Sequence, residues 1–219
     1  MMTLPGYRIL SKIYESSSSI VYRATRDEDG FPVILKVLRE TYPSPEEIIR
    51  YRQEYRITGS LCEVPGIIRT YGLENYGNTL VMILEDFGAE SLARLFQYRN
   101  FELADILGLA SKIITIIGYI HAANIMHKDI NPSNIVMNPQ TGEVKIIDFG
   151  ISTILSRENP VIRNPDILEG TLPYISPEQT GRMNRSIDYR ADYYSFGVTL
   201  YEFLTGSLPF EKKDEIGRA

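Results

Sequence analysis

One cysteine, Cys62, stands in a chain of 219 residues that has no tryptophan and two histidines. A lone thiol excludes an intrachain disulfide and a cysteine-built metal cluster, and it fits a reducing cytoplasm. A basic excess is also missing, since 23 Lys and Arg face 28 Asp and Glu for a net charge of -5. Such a chain sets up no positive field for phosphate backbones, so nucleic acid is not an expected partner. The opening Met-Met-Thr-Leu-Pro-Gly does not read as a secretory leader, having neither a basic start nor an apolar centre. The longest apolar stretch, Ile106 to Ile120, is interrupted by Ser111, Lys112 and Thr115 and falls short of the ~20 residues that cross a bilayer. It reads as a buried helix, and no membrane insertion is expected. A hydrophobic content of 43% is enough for one or two packed cores.

The apolar pattern divides the chain in two. Tyr7 to Ile13, Ile20 to Arg26 and Pro32 to Leu38 are short β-rich runs, with a turn at Asp29-Gly30. Ser44-Pro45-Glu46-Glu47 supplies a capping serine, a proline at the first helical position and a glutamate three residues past the cap, predicting a helix to about Gly59. Ile67 to Leu73 and Thr79 to Glu85 read as two further strands. From Glu102 the spacing becomes helical, through Leu103, Ile106, Leu107, Ala110, Ile113, Ile114, Ile117 and Ile120. Ile135 to Met137 and Val144 to Ile147 flank a turn, and Arg190 to Thr205 predicts a helix stopped by Gly206. The expected fold is therefore α+β, with a small antiparallel sheet lobe carrying one main helix, then a mostly helical lobe.

Three acidic or amide groups stand out by their spacing. His127-Lys128-Asp129-Ile130-Asn131-Pro132-Ser133-Asn134 is followed, fourteen residues after Asn134, by Asp148-Phe149-Gly150. Phosphoryl transfer uses one carboxylate to orient the attacking hydroxyl, and an amide with a second carboxylate to hold magnesium against a triphosphate. Taken singly, each motif would pass as loop capping or an ordinary turn. Together with Val33-Ile34-Leu35-Lys36 on a strand and Glu54 on the capped helix, they resemble the catalytic loop, metal motif and lysine–glutamate pair of protein kinases. The resemblance covers about residues 7 to 210 and implies a bilobal kinase fold, residues 1–87 forming one lobe and 88–219 the other.

That resemblance implies the following roles. Asp129 orients the hydroxyl, Asn134 and Asp148 hold magnesium, and Lys36, paired with Glu54, contacts the phosphates of ATP. Ile13, Tyr14, Ser16, Ser19 and Val21 belong to the phosphate-covering loop and the roof over adenine, Leu84 to the back of the pocket, and Glu85 and Phe87 to its hydrogen-bonding edge. Gly170 to Glu178 is similar to the end of an activation segment, placing a protein substrate with Ser or Thr near Thr171. His127 and Asp192 are structural anchors of the catalytic loop. Cys62 and His121 receive no role. The run Leu172 to Arg185 looks like one bacterial group, in which a serine/threonine kinase-like domain precedes an ATPase module, sensor domains and a histidine kinase.

Departures from the family pattern matter too. Tyr14, Ser16 and Ser19 stand where kinases carry glycines, and Ser176 replaces an alanine. Lys128 replaces an arginine that grips a phosphorylated activation loop, which implies independence from that phosphate. Asn131 replaces a lysine beside the transferred phosphoryl group, so one transition-state charge is missing and Asn131→Lys is expected to speed turnover. Only nine residues follow Phe210, where kinases continue through more helices. The second lobe is thus expected to be incomplete. Phe196, Val198, Leu200, Phe203 and Leu204 should then be partly uncovered, and Glu178 should lack its usual arginine unless Arg182, Arg185 or Arg190 substitutes. Two readings stay open: an active protein serine/threonine kinase, or a pseudokinase or kinase fragment that binds nucleotide or partners without efficient catalysis.

Overall fold

Strict alternation along β3 organises the first unit. The computed structural model describes residues 4–16, 18–154, 170–180 and 187–210. Strands β1 (Tyr7–Glu15), β2 (Ser19–Arg26), β3 (Pro32–Leu38), β4 (Thr70–Tyr76) and β5 (Thr79–Glu85) form one antiparallel sheet in the order β1-β2-β3-β5-β4. Because side chains alternate with period two, Val33, Leu35 and Val37 join Ala24, Val81 and Ile83 in one buried cluster. Leu38, Leu80 and Met82, on the other face, pack with Tyr51 of helix α1 (Pro45–Ser60). Lys36 shares that second face. The Asp29-Gly30 turn forms as expected, with Gly30 at φ 69° and the Phe31 amide donating to Asp29 Oδ1.

Helix α1 begins where its sequence dictates. The Ser44 hydroxyl accepts from the Glu47 amide and the Glu47 carboxylate accepts from the Ser44 amide, with Pro45 at the first helical position. The strand expected from Ile67 begins later, at Thr70. Residues 66–68 bond instead to Ile146, whose amide donates to Gly66 O while its carbonyl accepts from the Ile68 amide. Ile146 lies in β9 (Val144–Ile146), part of a segment, Met137–Gly150, that belongs to the same compact unit as Met1–Glu90. A two-residue strand, β6 (Glu90–Ser91), marks the end of the first stretch.

Ser91–Val136 and Ile151–Ala219 make up the second unit. It holds α2 (Leu92–Tyr98), α3 (Leu103–Ala122), the short strands β7 (Ile125–Met126) and β10 (Thr153–Ile154), which pair antiparallel, and α4 (Arg190–Thr205); β8 (Ile135–Met137) leads out of it. Helix α3 buries Ile106, Leu109, Ile113, Ile116, Ile117 and Ile120 along one face. It corrects the sequence estimate of a stretch too short for a bilayer: it is 20 residues long and holds an 18-residue window of mean hydropathy 1.7, enough to cross one by length and composition alone, a test that the core helix of a soluble protein also passes. Helix α4 ends at Gly206, which takes φ 72° and donates its amide to Glu202 O.

The exposed apolar patch expected on α4 is only partly present. Val198 and Phe203 are buried, Phe203 stacking on Phe96 of α2 with ring centroids 4.1 Å apart. Phe196 and Leu200 are half-buried, and Leu204 alone of the five is exposed. The aromatic ring of α2 supplies the cover that the sequence could not reveal. The tail 211–219 lies outside the described residues.

Candidate active site

Within the first unit, Lys36 carries the densest charge cluster. Its Nζ donates to Glu54 Oε1 at 2.6 Å and lies 3.1 Å from Asp148 Oδ2. Burial pulls the ammonium pKa down, but Asp148 and Glu54 outweigh it and hold Lys36 above its ordinary value. Burial pushes the Glu54 carboxyl up to about 7, Lys36 pulling it back and Asp148 adding to the rise. The Asp148 side chain is 42% exposed, so the cluster has one open carboxylate and two closed partners. Asp148 sits at φ 65°, a conformation that aspartate tolerates better than most residues, and its Oδ1 accepts from the Gly150 amide. Phe149 beside it is buried.

The serine loop between β1 and β2 is closed on itself. Ser16 Oγ accepts from the amides of Ser18 and Ser19, and the Ser16 amide donates to Ser19 O. Ser17 lies outside the described residues. A glycine at position 16 would leave those two amides free for an anion; the serine hydroxyl occupies them. Ile13 and Tyr14 are exposed, Ser19 is buried and Val21 is half-buried.

After β5, successive residues are held by side chains from elsewhere in the unit. Lys145 Nζ donates to Glu85 Oε2 at 2.7 Å and lies 4.8 Å from the Phe87 ring centre. Arg23 from β2 bonds both carboxylate oxygens of Asp86, and Asn138 Nδ2 donates to Phe87 O. Leu84 packs half-buried against the α1 face of the sheet.

The second unit assembles the other set. Asp129 Oδ1 accepts from the Thr171 amide at 2.8 Å, and Asp129 Oδ2 accepts from Asn134 Nδ2 at 2.8 Å. Asn131 is 2% exposed; its amide donates to Asp129 O within the loop and to Thr171 Oγ1 outside it, and accepts from the Ser133 amide. It acts as a pin between the loop and Thr171, a bonding role beyond the charge that the sequence reading found missing at position 131. Below them, Asp192 is fully buried; its Oδ2 accepts from the His127 amide and its Oδ1 from the Lys128 amide. Lys128 is held at φ 70°, strain on the order of 1 kcal/mol or more for a non-glycine residue, by that bond and by Gln179 Nε2 donating to its carbonyl. The His127 ring Nδ1 accepts from the Asp129 amide, which assigns its proton to Nε2.

Two participants escaped the sequence reading. His121 Nε2 lies 2.8 Å from Asp192 Oδ2 and Nδ1 lies 3.3 Å from Tyr193 Oη, so His121 completes the anchor instead of merely ending a helix. Its position at the last turn of α3, six residues before His127, is the signal that pointed there. Gln179 is the other: its Oε1 accepts from the amide and hydroxyl of Ser176, which gives a structural use to the serine that replaces alanine. Glu178 is half-buried, Arg190 is engaged by Asp188 at 2.6 Å, and Arg182 and Arg185 lie outside the described residues.

Residues 7–218 match the family model of the protein kinase domain. The chain belongs to the protein kinase family. It is 31% identical over 222 residues to serine/threonine-protein kinase pkn3 of Myxococcus xanthus, covering 97% of this chain and 40% of that one. Serine/threonine-protein kinase PknA of Mycobacterium tuberculosis is 33% identical over 217 residues, covering 95% of this chain and 49% of its own length. PrkC of Bacillus subtilis, also a serine/threonine-protein kinase, is 29% identical over 215 residues, covering 97% and 32%. This kinase domain therefore spans less than half the length of these relatives.

Proposed function

We propose that this chain is the catalytic domain of a bacterial protein serine/threonine kinase, transferring the γ-phosphoryl group of ATP to a Ser or Thr hydroxyl of another protein in signal transduction. The observation that carries the reading is the Lys36 ammonium held between buried Glu54 and open Asp148. A cation in that setting is fixed in direction before any ligand arrives, which is what electrostatic preorganisation requires.

The donor set fits magnesium. Hard oxygen ligands and only one or two protein groups are what this ion takes beside nucleotide phosphates, and among the described residues no cluster of three acidic or thiol ligands competes. Asp148 offers its exposed carboxylate, and Asn134 offers its amide oxygen, the amide nitrogen being spent on Asp129. When bound, the ion neutralises charge on the phosphate oxygens. Lys36 positions the phosphates, Asp129 orients the acceptor hydroxyl and receives its hydrogen bond, and Thr171 with Asn131 holds Asp129 in place. Val21 covers the adenine, while backbone groups of Glu85 and Phe87 bond its edge.

The run Leu172 to Thr180, with the residues after it in sequence, supports the finer placing in the group whose kinase domain precedes ATPase, sensor and histidine kinase modules; further signalling domains are then the partners, and the single cysteine supports a cytoplasmic site. A pseudokinase is favoured by two observations, the self-bonded serine loop and Asn131 in place of lysine. Transfer of labelled phosphate from Mg-ATP to a generic protein acceptor by the purified chain decides between them. Transfer abolished by Asp129→Asn supports the kinase, and nucleotide binding with no transfer supports the pseudokinase.

A further inference from the structure

Strands β2 and β5 are not neighbours in the sheet; β3 lies between them. The residue roofing the proposed adenine slot, Val21, is on β2, and β3 pairs with both β2 and β5, so the ladders fix the spacing as far as Glu85. The bonding edge runs on past β5 to Phe87, beyond the last ladder pair, and there Arg23 holds it. Arg23 lies two residues after Val21 and so projects from the same face of β2. Its Nε donates to Asp86 Oδ2 at 2.7 Å, and its Nη2 donates to Asp86 Oδ1 at 3.3 Å and to Ala89 O at 3.2 Å. Asp86 is the residue between Glu85 and Phe87, its side chain is 7% exposed, and its Oδ1 also accepts from the Gly88 amide. One guanidinium thus grips the connecting segment at positions 86 and 89 in a planar, two-pronged geometry that a lysine cannot reproduce.

We infer that Arg23 and Asp86 are positioning residues for the nucleotide: their ion pair fixes the segment that follows Glu85, with the Phe87 edge, against the strand that carries the Val21 roof, and so governs affinity for the adenine end of the ligand and not the rate of phosphoryl transfer. The inference rests on the kinase reading above. Its physical basis is that a nearly buried carboxylate with its guanidinium removed must rearrange or take up water, which moves the backbone on both sides of position 86, where the edge groups lie. The phosphate-facing cluster of Lys36, Glu54 and Asp148 shares no bond with Arg23, so the two ends of the ligand are held by separate devices.

The experiment measures ADP binding by calorimetry and Mg-ATP steady-state kinetics on the whole chain, for the wild type, Arg23→Ala, Arg23→Lys and the exchanged pair Arg23→Asp with Asp86→Arg. Arg23→Ala is expected to weaken ADP at least about fivefold and to raise KM for ATP by the same factor with kcat within about twofold. Arg23→Lys, which keeps the charge but loses the fork, should fall between, and the exchanged pair should recover part of the affinity. Unfolding of Arg23→Ala, followed by circular dichroism, leaves Arg23→Lys to decide. A folded Arg23 variant that binds ADP as tightly as the wild type overturns the inference and leaves the kinase reading intact. An equal loss in kcat and affinity overturns it in favour of a general packing role. A wild type that binds no adenine nucleotide overturns both together.

Discussion

At the scale of single residues, charge and burial set the expectations. Lys36 faces Glu54 and Asp148 inside the first unit, so Lys36→Met removes a cation that acts on a ligand. Turnover should drop at least ~10²-fold, far more than stability falls: Glu54 loses its buried partner, but a carboxyl already pushed up to about 7 can take up a proton, which limits that cost. Equal loss of folding and turnover would make Lys36 structural. Glu54, pushed up to about 7, predicts a pH effect. Lowering pH from 8 to 6 protonates it and releases Lys36, so kcat/KM should fall with a midpoint near 7, and Glu54→Gln should abolish that limb. Stability has the opposite sign. A carboxyl raised from its ordinary 4.5 contributes stability below that value and loses the contribution as pH climbs through 7. Asn131→Lys, which the sequence suggests would speed turnover, is now expected to lower the unfolding midpoint without raising kcat. Lysine has no acceptor for the Ser133 amide and loses the amide bonds to Asp129 O and Thr171, an exchange that costs about 1–3 kcal/mol. A faster, equally stable variant would restore the charge-deficit account.

Whole elements show where local sequence suffices. Helix α1 starts at its capping box and α4 stops at Gly206, because caps and left-handed glycines are decided within a few residues. The serine loop is equally local: Ser16 Oγ captures the Ser18 and Ser19 amides. Ser16→Gly should free them and lower the KM for ATP about two- to fivefold, with kcat little changed. Unchanged KM would show that the loop amides do not meet the phosphates. The late start of β4 was not legible, since Ile67 and Ile68 have the composition of a strand and their true partner, Ile146, lies about eighty residues away.

For the molecule as a whole, nucleotide binding should appear as stability. A ligand at 100 times its Kd adds about 2.7 kcal/mol, which raises the unfolding midpoint of a domain this size by roughly 5–10 °C. Scanning calorimetry with and without Mg-ATP checks it; no shift at millimolar ligand would argue against a preformed site. The same scan, with light scattering, tests the surface of α4. Because Val198 and Phe203 are buried and Leu204 is exposed, the chain should scatter as a monodisperse species. Aggregation would show that the exposed positions outweigh the covered ones.

Residue identity and spacing alone determined the family, the order of the longer strands and helices, and the polar groups present in the catalytic loop, because each depends on short-range periodicity or on a motif a few residues long; the two-residue strands β6, β7 and β10 left no such signal. Tertiary structure decided what those groups bond to. Asp192 gathers His121, His127 and Lys128 from two earlier segments; Asn131 ties Asp129 to Thr171; Gln179 gives Ser176 its use; and Arg23 reaches Asp86 across 63 positions of chain. None of these carries a periodic signal. A hydrogen bond between distant segments depends on where the packed core leaves each side chain, and that is fixed only when the whole unit folds.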